Sequence, residues 1–129
     1  MFYVHLNSVW GGHKVKAGIQ MCREIRFPEQ WRHLAVHGAE VIFYLTNVKG
    51  EDNFPVWNSH LISRAAENQR FIISSNIAAS EQGCSSMAVS PKGNILTELP
   101  AGEEAVQKVV IDLTEVSDWY LSQSRMDLM

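Results

Sequence analysis

The sequence lacks the features that mark several common classes of protein. Its two cysteines are too few for a disulfide framework, and we expect them to be reduced thiols in a cytoplasmic protein. No apolar run approaches the ~20 residues that span a bilayer, and residues 1–10 lack the basic start and long apolar stretch of a signal peptide. The formal net charge of -3 offers no basic face for a nucleic acid. We therefore expect neither a membrane nor a nucleic acid as a partner.

What the sequence does contain is enough apolar side chain for one globular core. Hydrophobic residues make up 46% of the chain and charged residues 19%, which is typical of a soluble domain and argues against disorder. The length of 129 residues fits one domain. Composition therefore places the chain among small globular proteins. Its function has to be inferred from motifs.

Hydrophobic periodicity predicts strands and helices that alternate along the chain. The predicted elements are a hairpin of strands 2–6 and 14–22 around the turn signal at 11–12, a helix at 29–37, a strand at 41–45, a helix at 56–69 and a strand at 71–76. The strand at 41–45 is continuously apolar, so we expect it to be buried on both faces. The order of these elements predicts an α/β layered domain. The helix faces expected to pack onto the sheet carry Trp31, Leu34 and Ala35 in the first helix and Trp57, Leu61 and Ala65 in the second.

The alternation of strands and helices ends after residue 76. We predict a hairpin of strands 85–89 and 94–98 around the turn at 90–93, because Pro and Gly in that segment favour a reverse turn. A strand is predicted at 107–112 from its β-branched residues. A short helix and an irregular end are expected at 113–129.

Cys22 is the strongest candidate for chemistry. It lies where an apolar strand ends and the helix-opening segment 27–29 begins, and such a turn can present a nucleophile at the edge of a sheet with backbone N–H groups nearby. A thiol attacks only as the thiolate, so it needs a base or a cationic neighbour. The charged neighbours in sequence are Arg23, Glu24, Arg26 and Glu29. The alternative is a buried, inert cysteine that packs as a small hydrophobe.

Three motifs occur in a characteristic order and spacing. The first, at 18–29, is an apolar strand followed by Cys-Arg-Glu and then Phe-Pro-Glu. The second, at 57–76, has Trp, Leu and Arg-Ala-Ala-Glu-Asn on a helix, then an apolar strand that ends in asparagine. The third, at 86–93, combines Ser, Pro and Gly in a hairpin. Together they resemble, across residues 14–112, the nitrilase superfamily of carbon–nitrogen hydrolases, although Cys84 stands where that family commonly has glycine.

The resemblance implies an α/β fold, namely the C-terminal half of a four-layer αββα sandwich, and a homo-oligomer in the full-length family. It also implies a Glu–Lys–Cys triad that works without a cofactor or a metal. In that triad the cysteine attacks a nitrile or amide carbon, the glutamate is general base and acid, and the lysine stabilises the tetrahedral intermediate. Ammonia or an amine leaves, and water then hydrolyses the thioester. Cys22 is the one triad member that the motifs carry over to this sequence.

The other two members of the triad precede the cysteine in that family, whereas only 21 residues precede Cys22. None of these 21 residues is a glutamate. Lys16 and Lys14 lie six and eight residues before Cys22 on an extended strand, which puts them ~20 Å or more away. We therefore expect residues 1–129 to be a partial carbon–nitrogen hydrolase domain, with its core at 14–112 and a tail at 113–129. Such a chain would be a truncated product or one piece of an assembly.

Several residues around Cys22 are predicted to line the substrate pocket or to support the turn. They are Arg23, Glu24, Arg26, Glu29 and Asn47. Glu29 either places an acid near the thiol or, as we favour, carries negative charge at a helix start. Arg26 either meets a substrate carboxylate or pairs with a surface acid. Asn47 follows the strand at 41–45, so it falls at the same sheet edge as Cys22.

Two other pairs of polar residues have structural explanations. His33 and His37 are four apart on one helix face and form a possible metal pair, but no third ligand follows at a recognisable spacing. We expect no metal site there and a solvated or dimer-facing surface. Arg64 and Glu67 on the second helix are expected to form structural hydrogen bonds or a partly buried ion pair.

The sequence therefore predicts a carbon–nitrogen hydrolase of the amidase type that cleaves a small amide or nitrile through a thioester on Cys22. The Arg-Phe-Pro-Glu stretch at 26–29 resembles amidase branches more than true nitrilases, and a substrate carboxylate could meet Arg26. The alternative is a catalytically inactive fragment, or a binding or assembly module, which the missing glutamate and lysine motivate directly. Apolar surfaces that belong against the other half of the sandwich would then be exposed and favour association.

Overall fold

A computed structural model describes residues 3–7, 14–50 and 54–123, which build one six-stranded sheet with two helices packed on one face. The strands lie in chain order across the sheet: β1 (Tyr3–Asn7), β2 (Lys14–Met21), β3 (Val41–Thr46), β4 (Phe71–Asn76), β5 (Ser86–Val89) and β6 (Ile95–Leu99). The helices are α1 (Pro28–Val36), α2 (Phe54–Asn68) and the short α3 (Trp119–Gln123). Single 3-10 turns cover Cys22–Arg26 and Leu113–Glu115.

The three central strands are parallel and fix the position of the loops that follow them. β2 pairs with β3 and β3 with β4 in parallel, whereas β1, β5 and β6 each join antiparallel. The two parallel crossovers run through α1 and α2, as parallel pairing requires. The residues that follow Met21, Thr46 and Asn76 therefore meet at one side of the sheet, which we call the carboxyl edge.

The helices bury the face of the sheet that carries Ile42, Tyr44 and Ile72. The two apolar stripes expected to face the sheet are confirmed, since all six side chains are buried: Trp31, Leu34, Ala35, Trp57, Leu61 and Ala65. Gly18 on β2 lies against α1, and a Cβ atom there would come within 2.9 Å of a Leu34 methyl group. The close approach of helix and strand thus requires a residue without a side chain at position 18.

The opposite face of the sheet is covered only at the end away from the carboxyl edge. Val15, Val41 and Phe71 form a second buried cluster under the chain near Ile111. Toward the carboxyl edge the same face carries a strip of apolar side chains that the described part of the chain covers only in part: Ile19, Met21, Phe43, Leu45 and Ile73. The open end of this strip is formed by Met21, which is 57% exposed, and Leu45, which is 47% exposed. The expectation that β3 is buried on both faces is therefore wrong at Leu45, whereas Val41, Ile42 and Tyr44 are buried.

The predicted strand at 107–112 is also wrong. That segment has no strand pairing among the described residues, and its Val110 is 86% exposed. Its β-branched composition favours a strand, but a strand needs a neighbour whose backbone groups are free to pair. Ile111 instead packs on the second cluster, against a face of the sheet.

The remaining strands and the two long helices are confirmed within two residues of their predicted ends. The short helix expected in the tail begins at Trp119, after a 3-10 turn at Leu113–Glu115. Both hairpins form, β1 with β2 and β5 with β6. The turn signal at 11–12 and the end of the chain at 124–129 lie outside the described residues. Over the described ranges, no helix is long and apolar enough to cross a bilayer.

Candidate functional site

Cys22 follows β2 directly and begins the 3-10 turn at the carboxyl edge, and its side chain is exposed. Its φ angle is 43°, in the left-handed region that costs an L-residue about 1–2 kcal/mol. Strain of this kind persists only where the surroundings hold the backbone in place, and it is typical of functional sites. The alternative of an inert, buried thiol describes the other cysteine, Cys84, which is 1% exposed and whose pKa burial raises to about 11.

Three side chains support the residues that follow Cys22, which we call the Cys22 turn (Cys22–Arg26). The Glu24 carboxylate accepts a hydrogen bond from the Met21 backbone N–H at 2.6 Å. Trp31 Nε1 donates to the Glu24 carbonyl oxygen at 2.8 Å. Arg64 donates from Nε and Nη2 to the Ile25 carbonyl oxygen at 3.2 and 2.9 Å. The bonds from Arg64 satisfy a carbonyl at the end of the turn, whereas the Glu24 carbonyl also accepts from the Phe27 backbone N–H at 3.1 Å.

Arg64 reaches the turn from α2 and is itself buried. Its Nη1 atom lies 3.1 Å from the Glu67 carboxylate, one turn farther along the helix. The expected structural hydrogen bonds and partly buried ion pair are therefore confirmed. A buried guanidinium of this kind is stable because its donors are met both by a carbonyl and by a carboxylate.

Tyr44 on β3 supports Cys22 itself and was missed from the sequence. Its hydroxyl donates to the Cys22 carbonyl oxygen at 2.6 Å and accepts from Trp57 Nε1 at 2.9 Å. The side chain is fully buried, and burial is the main cause that raises the pKa of Tyr44 to about 12. The sequence contains only a slight indication of this role, because the Tyr44 hydroxyl is the one polar side-chain group in the apolar run of 41–45.

The charged residues predicted near the thiol take different positions. Arg23 is exposed beside Cys22, and Glu29 is exposed in the first turn of α1, where it complements the helix dipole. Glu24 supports the turn through its bond to Met21. The guanidinium carbon of Arg26 lies 5.5 Å from the centre of the Trp57 ring, so Arg26 pairs with an aromatic face. Among the described residues it forms no ion pair with a surface acid.

The loop that follows β3 and the loop that precedes β5 lie next to each other at the carboxyl edge. Asn47 is exposed there, and its Oδ1 atom accepts from Gln82 Nε2 at 3.1 Å. A Cβ atom on Gly83 would lie 2.2 Å from the Gly50 carbonyl oxygen, so the two loops touch through backbone. Thr46, next to Asn47, is buried. The polar side chain that this part of the carboxyl edge exposes is therefore that of Asn47.

The two lysines that precede Cys22 lie at the other end of β2. The Lys16 backbone N–H bonds the Glu40 carboxylate at 3.1 Å, and the Lys16 side chain runs over Gly38. Both positions precede the carboxyl edge by most of the length of the strand. Neither Lys14 nor Lys16 therefore places its ammonium group at Cys22.

The described part of the chain contains no cluster of three or more side chains that could hold a metal ion. The ring centres of His33 and His37 are 4.1 Å apart with their planes tilted by 44°, and Nδ1 of His37 is 2.8 Å from the His33 carbonyl oxygen. Both residues are exposed, His33 in α1 and His37 directly after it. A solvated surface pair accounts for them.

The strain at Cys22 predicts opposite effects of glycine and alanine. We expect the Cys22→Gly variant to be more stable than Cys22→Ala by about 0.5–1 kcal/mol, because relief of the left-handed backbone exceeds the entropic cost of glycine in the unfolded chain. Urea unfolding of the two variants measures the difference. Ala17→Gly in β2, at a position of ordinary φ, is the control and should lose stability. An alanine variant as stable as the glycine variant would contradict the left-handed geometry.

Comparison with known families gives one match that covers most of the chain. The family model of the carbon-nitrogen hydrolases matches residues 5–120. Among curated proteins, an (R)-stereoselective amidase of Pseudomonas sp. is 38% identical over 114 residues, which are 84% of this chain and 40% of that protein. The 2-oxoglutaramate amidase of Bacillus subtilis is 35% identical over 111 residues, 81% of this chain and 41% of that protein. The chain thus spans about two fifths of the length of these relatives.

Solved structures give the same result for the fold. An amidase from Nesterenkonia sp. AN1, whose active-site cysteine carries the acetamide moiety of fluoroacetamide, is 28% identical with a TM-score of 0.74. The similarity covers 98% of this chain and 46% of that one. The expected α/β fold, which corresponds to part of a nitrilase-like sandwich, is therefore confirmed.

Proposed function

The chain belongs to the carbon-nitrogen hydrolase family, and from this premise we propose that it provides the nucleophile of an amidase. In this proposal Cys22 attacks the carbonyl carbon of a small amide and forms a thioester. The observation that carries the proposal is the exposed thiol on a left-handed residue, directly after a parallel strand and at the carboxyl edge. Strand-to-helix turns of this form present nucleophiles in other hydrolases.

The proposed reaction has two halves. The Cys22 thiolate adds to the amide carbon, and the tetrahedral intermediate expels ammonia, which takes up the proton that the thiol gave to the base. Water then adds to the thioester and releases a carboxylic acid and the free thiol. The oxyanion of each intermediate can be stabilised by backbone N–H groups at the start of the Cys22 turn, which have no intrahelical acceptor.

Neither the general base nor the cation that stabilises the oxyanion can come from β2. We propose that a glutamate and a lysine come from a segment that corresponds to the three fifths of the relatives that this chain does not match. That segment belongs to the same polypeptide or to a partner. The open apolar strip beside Cys22, with Met21 57% and Leu45 47% exposed, is a surface on which a second sheet can pack. Burying it would complete the αββα sandwich and bring further residues toward the carboxyl edge. The family resemblance further implies a homo-oligomer.

The substrate we propose is a small amide that bears a carboxylate. Relatives named as amidases, including one for 2-oxoglutaramate, favour an amide over a nitrile. Arg26 is exposed on the Trp57 ring beside the Cys22 turn, where a guanidinium is available to a carboxylate. The alternative of a non-catalytic binding module has less support, because the relatives with stated activities are hydrolases.

Ammonia release from a panel of small amides tests the proposal. The protein in its natural length is expected to hydrolyse primary amides, and to prefer those with a carboxylate over neutral amides of equal size. Arg26→Gln should reduce this preference by about tenfold or more, in line with the loss of a charge-assisted contact of about 1.5–3 kcal/mol. Its control, Arg23→Gln, should retain the preference. A folded protein that releases no ammonia from any amide would contradict the proposed function.

A further inference from the structure

We propose that Tyr44 and Trp57 are positioning residues that orient the peptide between Cys22 and Arg23 for stabilisation of the oxyanion. This inference rests on the proposed function of Cys22 as a nucleophile. It assigns a role at the Cys22 turn to a buried tyrosine hydroxyl that lies in an otherwise apolar run within the core.

The direction of the two hydrogen bonds is fixed by chemistry. An indole N–H only donates, so Trp57 Nε1 at 2.9 Å must use a lone pair of the Tyr44 oxygen. The single hydroxyl proton is then left for the Cys22 carbonyl oxygen at 2.6 Å. Tyr44 is fully buried and Trp57 6% exposed, so bulk water does not reach the hydroxyl that the two bonds share. The two hydrogen bonds, from Trp57 to Tyr44 and from Tyr44 to Cys22, therefore hold the Cys22 carbonyl in one orientation.

The orientation of that carbonyl determines where the next amide points. In a trans peptide the C=O and the N–H of the following residue point in opposite directions within one plane. Tyr44 draws the Cys22 carbonyl toward the core, so the Arg23 N–H is directed away from the core, on the exposed side of the turn. A donor held in advance at the place where negative charge develops lowers the barrier more than one that must reorient.

The other supports of the turn act on different peptides. Trp31 bonds the carbonyl of Glu24, and Arg64 bonds that of Ile25. Tyr44 is thus the side chain that acts on the peptide of the strained residue itself, whose φ is 43°. Its raised pKa, about 12, keeps the hydroxyl protonated and donating throughout the neutral range.

The test is the Tyr44→Phe variant of the protein in its natural length, which keeps the ring and removes the hydroxyl. We expect kcat for amide hydrolysis to fall about ten- to a hundredfold and KM to change less than about threefold, because the oriented donor acts in the transition state. Ser74→Ala is the matched control. The Ser74 hydroxyl is also buried on the same face of the sheet and bonds the Met87 backbone at 3.1 and 3.2 Å, but it does not contact the Cys22 turn.

The outcomes separate the inference from the proposed function. A Tyr44→Phe variant with unchanged kcat, or a Ser74→Ala variant that loses as much kcat, would overturn the positioning role while leaving Cys22 as the nucleophile. If Tyr44→Phe does not fold, Trp57→Phe removes only the outer donor, and unchanged kcat in that variant would overturn the role equally. Full activity in a Cys22→Ser variant would instead overturn the proposed function.

Discussion

Replacement of Cys22 by serine is expected to lower kcat for amide hydrolysis by about a thousandfold or more. Knocking out a catalytic nucleophile has effects of this order or larger in other hydrolases. The serine hydroxyl occupies nearly the same space as the thiol, but it ionises far less readily and is a weak nucleophile without a strong base. Because Cys22 is exposed at the edge of the sheet, the fold should tolerate the change. Ammonia release under saturating amide measures the loss.

The matched control is Cys84→Ser, since Cys84 is the other free cysteine and is buried. We expect this variant to lose some stability, because a smaller and more polar hydroxyl replaces a buried sulfur that packs in the core cluster and contacts Asn76 Nδ2 at 3.4 Å. Its kcat should stay within about twofold of the unmodified protein, because the Cys84 thiol plays no part in the proposed chemistry. Equal losses of activity in both variants would contradict the assignment of the nucleophile to Cys22.

Replacement of Trp31 by alanine is expected to destabilise the protein by about 3–5 kcal/mol, the range for truncation of a buried tryptophan. Trp31 is 0% exposed, lies with its ring centre 5.6 Å from that of Tyr44, and bonds the Glu24 carbonyl at 2.8 Å. The variant therefore loses core packing and one support of the Cys22 turn together. Such a loss is a large part of the 5–15 kcal/mol typical of a folded domain. Urea unfolding measures it.

Trp119→Ala provides the control for this prediction. Trp119 lies in α3 and is 60% exposed, with its ring centre 5.2 Å from that of Tyr120. We expect its truncation to change the free energy of unfolding by less than about 1 kcal/mol, since surface substitutions are usually small in effect. Equal destabilisation by the two tryptophan variants would contradict the placement of α1 against the sheet.

Most of the sheet and both large helices are predictable from the sequence because their signals are local. The spacing of Trp57, Leu61 and Ala65 predicts a helix face, and the segment 71–76, which begins with three apolar residues, is predicted as a strand with the ends observed for β4. The segment 107–112 fails for a physical reason that local composition does not contain. Its β-branched residues favour a strand, but the chain passes over a face of the sheet and not along an edge where it could pair.

The sequence predicts the central residue of the candidate site, Cys22, but not the side chains that hold the Cys22 turn in place. Cys22 stands out through its motif and its position between a strand and a helix. The contacts of Tyr44, Trp57 and Arg64 with the Cys22 turn join residues 22 to 39 positions apart, and no local pattern specifies such pairs. Glu24 and Arg26 illustrate the same limit, because their charges suggest chemistry at the thiol, whereas their contacts are with Met21 and the Trp57 ring.

The most direct test of the central claim joins thiol labelling to activity in the protein in its natural length. We predict that alkylation by iodoacetamide places one adduct per chain on Cys22 and none on Cys84, whose burial and raised pKa of about 11 keep it protonated. Ammonia release from a small amide should fall in proportion to the fraction of Cys22 that is alkylated, because the alkylated sulfur can no longer form a thioester. Full activity in protein whose Cys22 is completely alkylated, or equal labelling of both cysteines in the folded protein, would contradict the assignment of Cys22 as the nucleophile.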